Sequence, residues 1–203
     1  MAEGVKKRAT RRRIVDAATA LFVAEGYGAT TLEQIAARAD VAVQTIYFHF
    51  GNKRTVLKEA VDVASVGDDE PVPLLDRPWM DRLRAETDPG AVVDGWVAAS
   101  REIVERVGGI MGVVRDAAVV DPEMAEQWAV NEEQRATAFR TFVDLLDARD
   151  ALRSGLSADE ATDIVVAVMS IEVYLLLARR GWTPERWQRW ITRTLRTALL
   201  SDA

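Results

Sequence analysis

Cysteine is absent from the 203 residues, which excludes disulfides and thiolate metal sites. Histidine occurs once, at His49, so neither the Glu-x-x-His pairs of a di-iron bundle nor a multi-histidine zinc site can be assembled. No G-x-S-x-G stretch supplies a nucleophile elbow, and no cofactor motif is present. Proline is missing until Pro71, and no stretch sustains the apolar–polar alternation of a half-buried strand, so the expected class is all-α. Internal repeats and low-complexity segments are lacking too. The most apolar run, Ile164 to Ala178, is interrupted by Ser170 and Glu172 and reads as too short for a membrane span. With no leader-like start, these absences give the expectation of a cytoplasmic, non-enzymatic, helical protein without membrane contact.

What is present is unevenly charged. Residues 1–60 hold ten Lys/Arg against six Asp/Glu, whereas the remainder holds sixteen against twenty-six, so a head of +4 precedes a body of −10. A basic head attracts a polyanion and an acidic body is repelled from it, which orients the approach to nucleic acid. Lys6, Lys7, Arg8, Arg11, Arg12 and Arg13 read either as an arm that follows the DNA backbone or enters the minor groove, or as a solvated tail.

Between Thr31 and Lys53 two short amphipathic helices flank a tight turn. Leu32, Ile35, Ala36 and Ala39 fall at i, i+3, i+4, i+7, and Val43, Ile46, Tyr47 and Phe50 repeat the pattern. Thr31 with Gln34 satisfies the capping-box rule, and Asp40, Val41 and Ala42 give the turn length that sets two helices at a steep angle. The second helix can then lie in a major groove of double-stranded DNA with Val43, Gln44 and Thr45 leading: Gln44 can bond an adenine through both ends of its amide, Thr45 can bond either base type, and Val43 offers apolar contact. Phosphate contacts are expected from Thr31, Tyr47, His49 and Lys53. Lys53 and Arg54 sit in a helix first turn, where the macrodipole disfavours cations by roughly 0.3–1 kcal/mol, and a bound phosphate would relieve that conflict. His49 reads as a phosphate donor or as a buried, hydrogen-bonded ring.

From Arg12 to Leu57 the chain resembles the DNA-binding region of the tetracycline-repressor-like (TetR) family of bacterial transcriptional regulators. The segments that carry the resemblance are IVDAATALFVAEGY, ATTLEQIAARADV and TIYFHFGNKRTVL. The resemblance implies base contacts from Val43, Gln44 and Thr45, phosphate contacts from Thr31, Tyr47, His49 and Lys53, a dimer, and an effector pocket in the C-terminal part. Two positions depart from the pattern: Asp40 stands where glycine is usual, and Ala42 where a hydroxyl cap is usual, a loss of about 0.5–2 kcal/mol. The expected division is 1–57 for DNA binding and 58–203 for effector binding and dimerisation.

Helices are expected at Lys53 to Val66 and, beyond a break at Gly67 to Pro73, at 88/89–107, 110–120, 122–151, 157–180 and 184–200, with Asp-Pro, Ser-x-x-Glu and Thr-Pro-Glu as start signals. The penultimate helix is apolar on nearly every side and must be covered all round. A homodimer is expected, the last two helices of each copy forming a four-helix seam, which suits a pseudo-palindromic operator. Trp187, Ile191, Leu195 and Leu199 mark a packing face. Trp96, Met111, Arg115, Trp128, Phe139, Met169 and Glu172, with Phe142 and Tyr174, are candidates either for core or for a small-molecule effector pocket. Glu172, if buried, needs a cation such as Arg115, an arginine across the dimer or a bound cationic ligand; the favoured reading is a paired or rim-exposed structural glutamate. The expected function is a dimeric DNA-binding regulator, a repressor released by an effector that no residue identifies.

Overall fold

The computed structural model describes residues 2–67 and 72–201. Residues 68–71, in the middle of the expected break, lie outside the described residues. The described chain is helical without a named strand; one isolated bridge joins Leu152 to Leu200. Two compact units are formed: Met1–Asp68 with Gly109–Trp128, and Asp69–Gly108 with Ala129–Ala203.

In the first unit α1 (Ala2–Ala29), α2 (Leu32–Ala39), α3 (Val43–Phe50) and α4 (Lys53–Val66) enclose one apolar interior. Ile14, Ala18 and Phe22 of α1, Ile35 of α2, Ile46 of α3, and Val56 and Leu57 of α4 are fully buried in it. Gly26 breaks the last turn of α1 with φ 82° and ψ 167°, a region L side chains rarely adopt. The Gly26 carbonyl then accepts from both the amide and the hydroxyl of buried Thr30, at 3.3 and 2.8 Å, so the sharp exit leaves no orphaned polar group.

Beyond α4, a 3-10 turn at Leu74–Asp76 and α5 (Pro78–Ala85) occupy a stretch the sequence reading left without a helix. Pro78 at the first position of α5 is the start signal that was available. The α5 C-terminus is capped from far away: Arg149 donates through Nε and Nη2 to Glu86 O at 3.0 and 2.6 Å, and through Nη2 to Arg84 O at 3.0 Å.

Two expected helix boundaries are corrected. α6 runs unbroken over Pro89–Ala118, through the Gly108–Gly109 pair that had been read as its end. A Cβ at Gly108 would stand 2.8 Å from Tyr174 Cε1, and one at Gly109 would stand 3.3 Å from Val23 Cγ2. The glycines therefore serve close approach, at about 1 kcal/mol each in helix propensity, and do not mark a break. Conversely, the long apolar helix expected at 157–180 is two helices, α8 (Ala158–Val168) and α9 (Ile171–Arg179). Ser170 takes an extended backbone, and its hydroxyl accepts from Val173 N at 3.2 Å, so it caps a new helix where the pattern suggested continuity. By length and composition alone the stretch Ala158–Arg179 is long and apolar enough to cross a membrane, contrary to the sequence expectation, and 22% of its apolar 18-residue window is buried. α7 covers Pro122–Asp147, and α10 (Pro184–Leu199) buries Trp187, Ile191, Leu195 and Leu199, the row expected to pack.

Candidate nucleic-acid interface

The first unit builds its exposed recognition face from local chemistry. Thr31 Oγ1 accepts from Gln34 N at 3.2 Å while Gln34 Oε1 accepts from Thr31 N at 2.7 Å, the reciprocal cap that fixes where α2 begins. Asp40 adopts a left-handed backbone, φ 52° and ψ 56°, and its amide bonds back to α2 carbonyls, so aspartate fills the turn in place of glycine. Ala42 caps α3 with no side-chain bond. The turn is tied from outside: Arg13 Nη2 donates to Asp40 O at 3.2 Å.

α3 turns Ile46 and Phe50 inward. Gln44 is exposed at its leading end, with Val43 and Thr45 half-buried on either side. Tyr47 is 51% exposed and Phe48 79%. Gln44, Tyr47 and Phe48 stand at i, i+3 and i+4, hence on one helix face. Phe48 was missed in the sequence reading, although an aromatic off the buried spacing of α3 was the available signal. Its ring meets the His49 ring edge-on at 5.3 Å, and Lys7 Nζ lies 5.7 Å from its centroid.

His49 is half-buried. Its Nδ1 is buried without a hydrogen-bond partner, and its carbonyl accepts from Arg11 Nη1 at 3.2 Å. Burial, with lesser contributions from Lys7 and Arg11, pulls the imidazole below its ordinary range. Burial thus disfavours the charged ring, and in the neutral form the proton is best placed on Nε2, since a proton on the buried Nδ1 would find no acceptor.

The expected basic arm is largely structural. α1 is helical from Ala2, and Arg11 forms a two-bond clamp on Glu59 of α4, at 2.9 and 2.7 Å, while its guanidinium lies 4.6 Å from the Phe50 ring centroid. Arg12 pairs with Asp16 at 2.9 Å. Lys6 and Lys7 remain exposed, Lys7 beside the Phe48 ring of α3.

Lys53 answers the first-turn conflict in an unexpected way. Its ammonium donates to Tyr27 O at 2.7 Å and to Thr30 O at 2.9 Å, and stands 4.3 Å from the Tyr27 ring centroid. A cation unwelcome at the start of α4 thus neutralises the negative end of α1. Two of its three donors are occupied and one is left for an outside acceptor. Arg54 turns to the α6–α7 turn, bonding Asp121 Oδ2 at 3.0 Å and Glu123 Oε1 at 3.0 Å. The Arg54 hydrogen bond is the main reason the Asp121 carboxyl is held below its usual range.

The effector candidates divide between the two units. Met111, Arg115 and Trp128 fall in the first, where Met111 is buried and Arg115 pairs with Asp116 at 2.8 Å. Trp96, Phe139, Met169 and Glu172 fall in the second. Trp96 is 3% exposed; it stacks on Phe142 at 4.9 Å and meets Phe139 and Trp79 edge-on at 6.4 and 5.6 Å. Its indole N–H is buried without a partner, a group that commonly stabilises only when bonded. Met169 is buried. Glu172 is exposed, so the buried charge considered for it does not arise, and the cation that feels its field within its unit is Arg135.

The family model for bacterial regulatory proteins of the tetR family matches residues 14–60, the segment that builds α1's buried half through α4. That segment is a tetR-family match. SrpR of Pseudomonas putida, an HTH-type transcriptional regulator, is 49% identical over 49 residues, covering 24% of this chain and 23% of its own length. IcaR of Staphylococcus aureus, the negative transcriptional regulator of the biofilm operon icaADBC, is 35% identical over 49 residues, 24% of this chain and 26% of its own length. The chain therefore aligns with only about a quarter of either relative. Among solved structures, NalD, the secondary repressor of the MexAB-OprM multidrug efflux pump in Pseudomonas aeruginosa, matches over 97% of this chain and 98% of its own, with a TM-score of 0.71 at 20% identity. A transcriptional regulator from Saccharomonospora viridis in complex with choline matches over 95% and 98%, with a TM-score of 0.72 at 16% identity. These two establish the shared fold. The matched segment, residues 14–60, includes α3, the helix whose outer face is open.

Proposed function

We propose that this TetR-family protein is a homodimeric, sequence-specific DNA-binding repressor, cytoplasmic and released from its operator by a small-molecule effector. The observation that carries the reading is the outer face of α3: Gln44, Tyr47 and Phe48 exposed together on a short helix held by a capped α2 and a left-handed turn. In this reading residues 1–57 do the DNA work. Val43, Gln44 and Thr45 address base edges, with the Gln44 amide the discriminating group, while Thr31, Tyr47, His49 and the third donor of Lys53 hold phosphates. Residues 58–203 sense and pair. The apolar surface that α8 and α9 leave exposed, including Val166 and Leu176, is the natural seam with a second copy, aided by the half-buried Trp190, Thr194 and Ala198 row of α10. The effector site draws on the candidates of the second unit, Trp96, Phe139, Met169 and Glu172; binding there favours a conformer whose paired α3 helices no longer match the half-site spacing.

Sedimentation velocity in detergent-free buffer tests the pairing, and fluorescence anisotropy on duplex pools tests the binding. The reading expects a dimer that binds DNA with steep salt dependence and dissociates to monomer on Leu176→Asp. A stable monomer, or material that enters vesicles, would overturn it.

A further inference from the structure

The outer flank of α10 carries a concentration of charge that the DNA reading does not use. Arg186, Arg189, Arg193 and Arg196 follow one another at i, i+3, i+7 and i+10, four cations along one flank of a helix in the half of the chain that is net acidic. Two of the four are engaged. Arg186 lies 4.2 Å from the Trp182 ring centroid, and Arg196 binds Asp94 of α6 through two bonds at 2.9 and 2.6 Å. Gly90 makes room for that pair, since a Cβ there would stand 3.1 Å from Arg196 Cζ. Arg189 and Arg193 are exposed and hydrogen-bond no described residue; Glu185 lies close enough to Arg189 to feel its field without forming an ion pair.

These residues border an open groove of about 780 Å3, lined along α10 by Gln188, Arg189, Thr192 and Arg193 and at one end by the Asp94–Arg196 pair. Like charges one turn apart repel each other, so the arrangement is unfavourable on its own and is relieved by an anion placed between them. Two guanidinium forks with a hydroxyl and an amide alongside offer more donors than one carboxylate can accept, and Arg forks match the tetrahedral oxygens of phosphate. The groove lies on the flank of α10 away from Trp190 and Thr194, so occupation is compatible with the pairing seam proposed above and does not rest on DNA binding.

We propose that this groove is an anion site for compounds bearing a diphosphate group, with Arg189 and Arg193 each holding one phosphate and the Asp94–Arg196 pair closing the end where the rest of the ligand hydrogen-bonds. Inorganic pyrophosphate and a nucleoside diphosphate share this chemistry. Isothermal titration of the full chain at about 150 mM salt, where exposed charges more than a Debye length apart are screened, separates them from monophosphates. The expected result is one site per chain for pyrophosphate and ADP, with inorganic phosphate and AMP about tenfold weaker because only one fork is engaged. Tighter binding of ADP than of pyrophosphate assigns a role to the Asp94 end; equal binding assigns the diphosphate alone. Arg189→Gln/Arg193→Gln weakens both by about tenfold or more, Arg189→Lys/Arg193→Lys falls between, and Lys6→Gln/Lys7→Gln in the basic head changes neither. Loss of binding in the head variant, no saturation below about 1 mM, or binding indifferent to the α10 substitutions would overturn the proposal. So would a changed sedimentation coefficient in the folded α10 variant, which would make the arginine row an interface between copies.

Discussion

Replacing Lys53 by methionine separates two roles for one ammonium. The structure gives that group two charge-assisted bonds, to Tyr27 O at 2.7 Å and Thr30 O at 2.9 Å, together with the face of the Tyr27 ring. A hydrogen bond to a charged partner contributes about 1.5–3 kcal/mol and an exposed cation–π contact about 0.5–1 kcal/mol. These terms share one cation and do not add, and Lys53 is only half-buried, so the expected loss is about 2–3 kcal/mol for Lys53→Met. Methionine preserves much of the packing against Tyr27, which confines the change to the charge. Lys53→Arg recovers little, because a planar fork cannot replace a compact ammonium between two converging carbonyls. Urea unfolding monitored by far-UV signal reads the stability, and a salt titration of DNA binding, corrected for the folded fraction, reads the third donor. If that donor holds a phosphate in each head of the dimer, the magnitude of the slope of log K against log salt falls by about 1.8, about 0.9 per head. A variant within about 0.5 kcal/mol of the parent would refute the capping argument. An unchanged salt slope would remove Lys53 from the phosphate contacts and leave it a purely structural residue.

Phe48 is expected to add apolar contact to thymine methyl groups on the face it shares with Gln44: Phe48→Ala should weaken specific binding by about 1 kcal/mol per head, and replacing operator thymines by uracil should weaken the parent but not the variant. Equal sensitivity of both proteins to uracil would contradict that role. Arg11→Ala removes the Glu59 clamp, the bond to His49 O and the Phe50 contact; because the guanidinium is substantially solvated, the expected destabilisation is about 1 kcal/mol, with a lowered thermal midpoint as the readout. His49 is held below its ordinary value near 6.5, so the unfolded chain takes up a proton before the folded one does. Stability of the first unit should therefore decline as pH falls below about 6.5 through the folded-state value, and His49→Gln should flatten that part of the profile, as checked by thermal melts at stepped pH.

Much of the recognition unit is legible in the sequence because its determinants are local. Thr31 and Gln34 are three residues apart, and of the four apolar positions spaced along α3 Ile46 and Phe50 do turn inward, whereas Tyr47, counted with them, is 51% exposed and Val43 half-buried. The partners of cations are less legible, since they depend on segments far apart in sequence. Lys53 in a first turn signalled an electrostatic conflict correctly, but the acceptors that resolve it lie 26 and 23 residues earlier, on backbone carbonyls that carry no sequence signature. Arg11 and Arg13, read either as a DNA-following arm or as a solvated tail, find partners in Glu59 and the Asp40 carbonyl for the same reason. Gly108 and Gly109 were misread because glycine marks helix ends by propensity and close approach by packing, and only the positions of Tyr174 and Val23 decide between them. The break at Ser170 shows the reverse case, a cap residue embedded in an apolar run whose periodicity concealed it. Glu172, placed in an apolar run by sequence, points to solvent because that run forms an exposed surface as well as a core.

Selection of bound duplexes from a random pool at moderate ionic strength tests the central claim most directly. The account predicts enrichment of a pseudo-palindrome whose half-sites are separated by about one helical turn, and a change in the preferred bases when Gln44→Ala is selected in parallel. Recovery of an unenriched pool at low salt, or an identical preferred sequence from the Gln44→Ala protein, would contradict it.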